Sequence, residues 1–192
     1  MRIDVVLDHR DLDDELAKLH RRMHTPGDAL HGMPTIPVAL PGLVVRYREV
    51  AGEFYLYVED VARRALAGCT VFNHAPDVGR AAERHLRSPH SRYGAAYRRR
   101  GIASAVYTWA LQAGLCLVTG PRQSAAAYCL WQSLARGHEL LVVQLNDGGL
   151  HCLGTQVDDA AFGAFATRMV LLGAGWDRER LAAAEGFPLP PG

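Results

Sequence analysis

The chain has 192 residues, of which 49% are apolar and 21% are charged, and its formal net charge is +1. This composition is typical of a globular domain with enough apolar material for a core, so neither disulfides nor a structural metal are required. The balanced charge argues against a globally basic nucleic-acid binder. The first residues lack the basic-then-apolar order of a signal peptide, and no apolar run is long enough to cross a bilayer. We therefore expect a cytoplasmic protein without membrane contact.

The four cysteines are widely spread and form no CxxC pair, which excludes the close spacing of a zinc site. Three of them lie within apolar runs, so we expect small buried thiols rather than nucleophiles. They are Cys69, Cys116, Cys129 and Cys152.

An amphipathic helix is predicted for residues 11–24, because leucine and methionine recur at helical spacing between charged residues. His20 and His24 stand four apart on this helix, a spacing that can hold a metal on one face. Since the neighbouring sequence offers no acidic or histidine partner to complete the set, we expect no metal. Residues 25–42 are rich in proline and glycine and are predicted to form a long loop, a candidate lid over a substrate.

Three strands of an antiparallel meander are predicted for residues 43–50, 53–60 and 65–74, with a turn at Ala51-Gly52. A short helix is predicted for residues 79–87. Further along, an apolar strand is predicted at 115–119, a helix at 123–136, and two strands at 138–147 and 150–157 that pair across a turn. Residues 158–185 are predicted to be helical, with an interruption near Gly173 and Gly175. Strands and helices mixed in this order indicate an α/β or α+β sheet protein.

The most specific stretch is "YRRRGIASAVYTWALQAG", residues 97–114, in which three arginines run into Gly101 and an amphipathic helix follows up to Gly114. A glycine turn at a helix start exposes backbone N–H groups that have no helical acceptor, at the positive end of the helix dipole. Glycine lets an anion approach the backbone closely, and arginines add charge-assisted hydrogen bonds. This turn is therefore a candidate site for a phosphate or pyrophosphate.

The pattern Arg98-x-x-Gly101-x-Ala103 resembles the pyrophosphate-binding signature of the GNAT superfamily of acyl-CoA-dependent N-acyltransferases. The helix, strand and helix that follow it have the family's order, and the similarity in element order covers residues 43–153. The resemblance implies a mixed, mostly antiparallel central sheet flanked by helices. We expect an acyl-CoA-binding core at 43–157, an N-terminal helix and long loop at 1–42 that belong to the same domain, and a C-terminal helical extension with a proline-rich tail at 158–192.

The resemblance also implies the donor and the residues that hold it. The donor is acetyl-CoA or another acyl-CoA, and its pyrophosphate binds the backbone of the turn. The cofactor-binding residues so implied are Arg98, Arg99, Arg100, Gly101, Ile102 and Ala103, with Ser124 at the start of the later helix. On that helix Trp131 stands where the family has a tyrosine that protonates the departing thiolate, and Tyr128 is the substitute phenol on this helix.

N-acyl transfer needs a base that takes a proton from the amine. Glu59 and Asp60, at the end of a predicted strand, are candidates for that base or for holding a cationic amine. Histidine side chains ordinarily titrate close to neutrality, so His90, just before the signature, is a candidate base as well. Tyr128 completes the set of candidate catalytic residues.

The leading hypothesis is an enzyme that moves an acyl group, acetyl by default, from acyl-CoA to an amine by direct attack in a ternary complex. The acceptor is a small molecule, a peptide or a protein side chain, and the flanking segments are candidates for a homodimer contact. One alternative is a GNAT-like domain that binds acyl-CoA, or the arm of an acyl carrier protein, without the usual acid. A second is a nucleic-acid-binding module that uses the basic patch between Arg92 and Arg100, and a third is a structural protein with a basic helix start.

Overall fold

The computed structural model describes residues 1–3, 11–75, 78, 84–146, 149–154, 166–187 and 189. Within these ranges four α-helices are formed, and none is long and apolar enough to cross a membrane. The helices are α1 (Leu12–Met23), α2 (Ile102–Gln112), α3 (Ala125–Leu134) and α4 (Arg178–Glu185). A single 3₁₀ turn, Ala95–Tyr97, precedes α2.

Nine strands are hydrogen-bonded into a sheet that is mostly antiparallel, and two short strands pair separately. The nine are β2 (Thr35–Ile36), β3 (Val44–Val50), β4 (Glu53–Asp60), β5 (Ala65–His74), β6 (Leu86–Tyr93), β7 (Cys116–Val118), β9 (Leu140–Asn146), β10 (Gly149–Gly154) and β11 (Thr167–Leu171). Their order is β10-β9-β11-β7-β6-β5-β4-β3-β2. The separate parallel pair is β1 (Arg2–Ile3) with β8 (Arg122–Gln123). The predicted fold class, a mixed α/β protein with a mostly antiparallel sheet, is confirmed.

The chain forms two compact units, each built from non-contiguous segments. The α1 unit consists of Asp8–Asn73 and His90–Tyr107, and it contains α1, β2 to β4, nearly all of β5 and the end of β6. The α3 unit consists of Met1–Leu7, His74–Pro89 and Thr108–Gly192, and it contains β7, β9 to β11, α3 and α4.

In the α1 unit the predicted hairpin of β3 and β4 forms in the predicted register around Ala51-Gly52. Both turn residues have positive φ, +52° and +79°, as a two-residue turn with the twist of a hairpin requires. Helix α1 buries its apolar face against this sheet, as its leucine spacing predicts. Its core cluster contains Leu12, Leu16, Met23, Leu30, Met33, Tyr57 and Leu66.

In the α3 unit β9 lies between β10 and β11, and both of these strands are antiparallel to it. Strand β11 also pairs with β7, which in turn pairs in parallel with the first residues of β6. All five residues of β11 are buried, and α4 adds Leu181 to the same core. The predicted pairing of the last two strands is thus confirmed, although residues 147–148 between them lie outside the described part.

Two secondary-structure predictions are wrong. Residues 167–171 form β11 rather than a helix, because this apolar run is inserted between β9 and β7 and its backbone hydrogen bonds go to them. Leu86 and Arg87 belong to β6 rather than to a short helix, since they pair with β7. The rest of both predicted helices falls partly on residues 79–83 and 158–165, outside the described residues; residues 178–185 are helical as predicted.

Gly173 is the glycine of the α3 unit whose replacement we expect to cost the most stability. A Cβ there would lie 2.5 Å from the carbonyl oxygen of Leu115, a backbone atom that cannot move aside cheaply. We expect Gly173→Ala to lower the free energy of unfolding by about 1–3 kcal/mol, as overpacking does elsewhere. Gly137→Ala is the matched control, because its Cβ would meet no atom closer than 4.0 Å. Urea unfolding of both variants measures the difference, and equal stabilities would contradict this reading of the contact.

Candidate functional site

The arginine–glycine turn forms a tight backbone bend directly before α2. Arg99 and Gly101 both have positive φ, +56° and +74°, in the left-handed region that costs glycine little. The carbonyl of Gly101 accepts the N–H of Ala105 at 2.9 Å, so this is the first carbonyl used by the helix. The N–H groups of the first helical turn, which begins at Ile102, precede that bond and have no helical acceptor. The turn at a helix start, on which the predicted anion site depends, is therefore present.

The space in front of Gly101 is open. A Cβ built on this residue would meet no atom within 4 Å, and the side chains of Arg99 and Arg100 are exposed beside it. Ile102, by contrast, is buried and anchors the helix start, while Ala103 is half-buried. An anion can approach the backbone here without displacing a side chain.

Two of the three arginines are also held by neighbouring residues. Arg98 donates from Nε to the carbonyl oxygen of Tyr93 at 3.0 Å, which closes the loop that carries the turn. The guanidinium of Arg100 lies over the ring of Tyr97, 5.5 Å from its centroid. Arg92, nearby in sequence, makes a bidentate ion pair with Glu15 of α1 instead. The side chain of Arg98 thus shapes the turn, and the cationic heads of Arg99 and Arg100 flank it.

A buried polar cluster holds the first half of α2 against the sheet. The hydroxyl of Thr70, on β5, makes hydrogen bonds of 2.7 Å with Ser91 and 2.8 Å with Tyr93, both on β6. Ser91 in turn donates to the hydroxyl of Tyr107 on α2 at 3.3 Å. Burial raises the pKa of Tyr93 and raises that of Tyr107 to about 12, so both phenols stay protonated and act as fixed hydrogen-bonding groups.

Asp60, at the end of β4, is tied to the residue that precedes the turn. Tyr97 donates its hydroxyl to Asp60 Oδ2 at 3.0 Å, and Arg63 donates to the same carboxylate at 2.8 Å. The hydrogen bond from Arg63, together with its backbone N–H and the hydroxyl of Tyr97, holds the pKa of Asp60 below its ordinary value. Burial and the hydrogen bond to Asp60 raise the pKa of Tyr97. This carboxylate therefore stays ionised and positions Tyr97.

Glu59, one residue earlier, points to α1 and is only 2% exposed. Its Oε2 accepts from Arg46 Nε at 2.6 Å, and its Oε1 lies 2.6 Å from Nε2 of His24 and 3.3 Å from Nε2 of His20. Burial alone would raise the pKa of Glu59, but the hydrogen bonds from Arg46 and His24 outweigh it and the pKa lies below its ordinary value. The neighbouring sequence offers no acidic partner for the two histidines, but β4 supplies one from 35 residues away.

A cleft of about 580 Å³ lies between α1 and the segment that leads to the turn. Its walls carry both charged and apolar side chains, and Tyr97 closes one end. The lining residues are Asp13, Leu16, Ala17, His20, Arg21, Arg64, Ala65, Leu66 and Gly94 to Tyr97. It has room for a small polar molecule beside the turn.

The remaining predicted site residues are placed as follows. His90 is exposed on β6, and the carboxylates of Glu59 and Asp60 are bonded to other groups. In the α3 unit Ser124 is the N-cap of α3, its hydroxyl accepting the N–H of Ala127 at 3.2 Å. Tyr128 is half-buried on the same helix, where Trp131 is buried in the core.

The cysteines match the prediction only in part. Cys116 is buried and Cys69 partly so, and burial raises the pKa of both thiols to about 11, which excludes a thiolate nucleophile at neutral pH. Cys129, however, is exposed, since it occupies the outer face of α3.

The sequence did not predict the contacts that Tyr97, Arg46 and Thr70 make in the structure. The His20–His24 spacing was the one local signal for the Glu59 cluster. Nothing local connects Asp60 to Tyr97, which lies 37 residues later, or Thr70 to Ser91, which lies 21 residues later.

Comparison with known proteins gives one named similarity. No protein-family model matches the chain, and no curated protein matches it. A solved structure that is similar is a GNAT superfamily phosphinothricin acetyltransferase from Sinorhizobium meliloti in complex with AcCoA, with 20% identity and a TM-score of 0.41. The alignment covers 65% of this chain and 63% of that one, so this chain matches less than two thirds of that protein's length. That acetyltransferase belongs to the superfamily whose signature the Arg98–Ala103 pattern of this chain resembles.

The Thr70 cluster predicts a stability difference between two small substitutions. Thr70→Val keeps the volume of a fully buried side chain but leaves the hydroxyls of Ser91 and Tyr93 without it. We expect a loss of about 1–3 kcal/mol in the free energy of unfolding. Thr70→Ser keeps the hydroxyl and removes one methyl group, for a loss of about 1 kcal/mol. If urea unfolding found the valine variant as stable as the wild type, the cluster would contribute nothing to stability.

Proposed function

We propose that the protein is an acyl-CoA-dependent N-acyltransferase that uses acetyl-CoA by default. The observation that carries the proposal is the turn before α2, where two residues of positive φ, open space at Gly101 and two exposed arginines surround the first amides of a helix. A pyrophosphate is a natural ligand for such a combination of N–H groups, helix dipole and guanidinium charge. The resemblance of Arg98-x-x-Gly101-x-Ala103 to the GNAT signature supports the choice of CoA among pyrophosphate ligands.

The residues present fit the donor. The amides of Arg99 through Ala103 would hold the pyrophosphate, and Arg99 and Arg100 would neutralise its charge. Ser124 keeps its predicted place in the donor site as a proposal. Its hydroxyl caps α3, so its contribution would be to fix that helix start.

In the proposed reaction a neutral amine attacks the thioester carbonyl directly, the C–S bond breaks, and the departing thiolate takes up a proton. Glu59 and Asp60 are paired with internal cations and have lowered pKa values, which makes them weak bases and better suited to binding or positioning. We therefore assign the base to His90, exposed on β6, and the acid to Tyr128. The cleft beside Tyr97 is the proposed entry for the amine, whose nature stays open.

The second candidate is a domain that binds acyl-CoA or a carrier-protein arm without turnover. The presence of Trp131 in place of the family's tyrosine favours it, because an indole cannot protonate a thiolate. Release of free thiol on adding amines distinguishes the two, since binding alone releases none.

The turn predicts a specific loss of CoA binding in Gly101→Glu. The new carboxylate would project into the open space in front of the amides and repel the pyrophosphate. We expect acetyl-CoA to bind the wild type at low micromolar Kd and the variant about 10- to 100-fold more weakly, as for the loss of one or two charge-assisted hydrogen bonds. Isothermal titration calorimetry measures both.

Gly42→Glu is the matched control for this measurement. Gly42 has φ of +73° against +74° for Gly101, and neither has an atom within 4 Å of a built Cβ. Both variants therefore carry the same backbone strain and the same added charge. Equal affinities of the two variants, or no binding of any acyl-CoA by the wild type, would overturn the proposed donor site.

If His90 is the base, its replacement should lower kcat and leave the binding of the acyl donor unchanged. His90→Gln should lower kcat by about 10²- to 10⁴-fold, the usual contribution of a general base, and leave the Kd for acetyl-CoA unchanged. His151→Gln is the control, because His151 is likewise an exposed strand residue. The assay measures the release of free thiol from acetyl-CoA with each of a panel of amines. An unchanged kcat in His90→Gln would show that another residue is the base.

A further inference from the structure

Among the described residues a cluster of potential metal ligands lies where the C-terminal end of α1 contacts β4. His20 lies in the last turn of α1 and His24 caps the end of that helix, with ring centroids 4.7 Å apart, and their Nε2 atoms converge on the same oxygen, Oε1 of Glu59. The three ligand atoms all lie within 4.8 Å of one another. The same arrangement of side chains could be held by hydrogen bonds alone. Whether it fits a metal is therefore judged from the distances between the ligand atoms.

A hydrogen-bonded ion pair explains one histidine but not the second. His24 lies at hydrogen-bond distance from Oε1, 2.6 Å, whereas His20 is 3.3 Å away. Nε2 of His20 is buried, and among the residues that the structure describes it finds no hydrogen-bond partner. A buried imidazole nitrogen without a hydrogen-bond partner costs stability, so a hydrogen bond does not explain why His20 lies close to the carboxylate. A cation bound by both groups would explain it.

The dimensions suit a tetrahedral divalent ion. With bonds of about 2.0–2.1 Å, two ligand atoms of tetrahedral zinc are separated by about 3.3 Å. The distance from His20 Nε2 to Glu59 Oε1 has this value already. The metal would replace the proton in the shorter contact of His24, and a movement of about 0.7 Å would bring its Nε2 to the same distance from Oε1 as that of His20. His24 is half exposed, so its side chain is free to make that movement.

Arg46 contributes to such a site as an orienting group. It donates to Oε2 of Glu59, which fixes the carboxylate and leaves Oε1 for the cluster. Ligating carboxylates are commonly held by a hydrogen bond of this kind. Two imidazoles and one carboxylate select zinc or its neighbours over magnesium and calcium, which prefer oxygen ligands.

We propose that His20, His24 and Glu59 form a binding site for a divalent transition metal, with Zn²⁺ as the natural ion, that joins the C-terminal end of α1 to strand β4. The three protein ligands leave the fourth position to water. The ligand set itself needs neither acyl-CoA nor the arginine turn, although His20 also lines the cleft proposed as the entry for the amine.

Cobalt is the probe, because Co²⁺ in a tetrahedral site absorbs visible light and requires no activity assay. The full chain, freed of any tag and stripped with a chelator, is titrated with Co²⁺ and then with Zn²⁺, and with Mg²⁺ as a negative control. We expect one Co²⁺ per chain, displaced by Zn²⁺ and unaffected by Mg²⁺. His24→Ala should weaken Co²⁺ binding at least about tenfold.

His31→Ala is the matched control, an exposed histidine in the loop after α1. It should bind Co²⁺ like the wild type. Circular dichroism checks that His24→Ala is folded; should it unfold, imidazole NMR signals of the wild type with Zn²⁺ replace it, and those of His20 and His24 should shift first. Absence of stoichiometric Co²⁺ binding, undiminished binding by His24→Ala, or NMR shifts at other histidines would overturn the site.

Discussion

The buried carboxylate of Glu59 is the constraint around which the α1 unit is organised. Removing an ionised group from water costs several kcal/mol unless charge and hydrogen bonds compensate it. Arg46 supplies the charge from the adjacent strand, where it sits diagonally from Glu59 in the register that pairs Arg46 with Tyr57. A slip of one residue would turn Arg46 to the other face and leave the carboxylate unpaired. The ion pair thus fixes the hairpin register, and the histidines fix the end of α1 upon it.

Asp60, the next residue of β4, binds Tyr97 in the segment just before the arginine–glycine turn. Successive side chains of a strand point to opposite sides, so Glu59 contacts α1 while Asp60 contacts Tyr97. Tyr97 packs under the guanidinium of Arg100, and the carbonyl of Tyr93 holds Arg98. The conformation of the turn is therefore supported by contacts of the residues just before it. In the proposed function such preorganisation would reduce the conformational cost of binding an anion.

Elements whose sequence pattern and burial agree were predictable. Helix α1, the β3–β4 hairpin, α2 and the glycine that ends it follow from periodicity and turn chemistry, and each formed within one or two residues of its predicted limits. The turn was predictable for the same reason, because a glycine that follows arginines at a helix start is a local signal. Strand β6 was not, since "SPHSRY" is polar and contains proline. Its serine and tyrosine are accommodated because Thr70 on β5 supplies their hydrogen bonds.

The parts that escaped prediction are those in which a distant segment supplies the partner. Strand β11 ends in the apolar residues Met169, Val170 and Leu171, which suit a helix equally well, and only the two neighbouring strands decide its conformation. The spacing of His20 and His24 indicated two ligands of the proposed metal site. The third, Glu59, lies at a strand end and was predicted from the sequence to be a catalytic base or an amine-binding residue. Glu59 and Asp60 look alike in sequence, as adjacent acids. Their different partners give them different tasks, one at α1 and one at the turn, which no reading of neighbouring residues can separate.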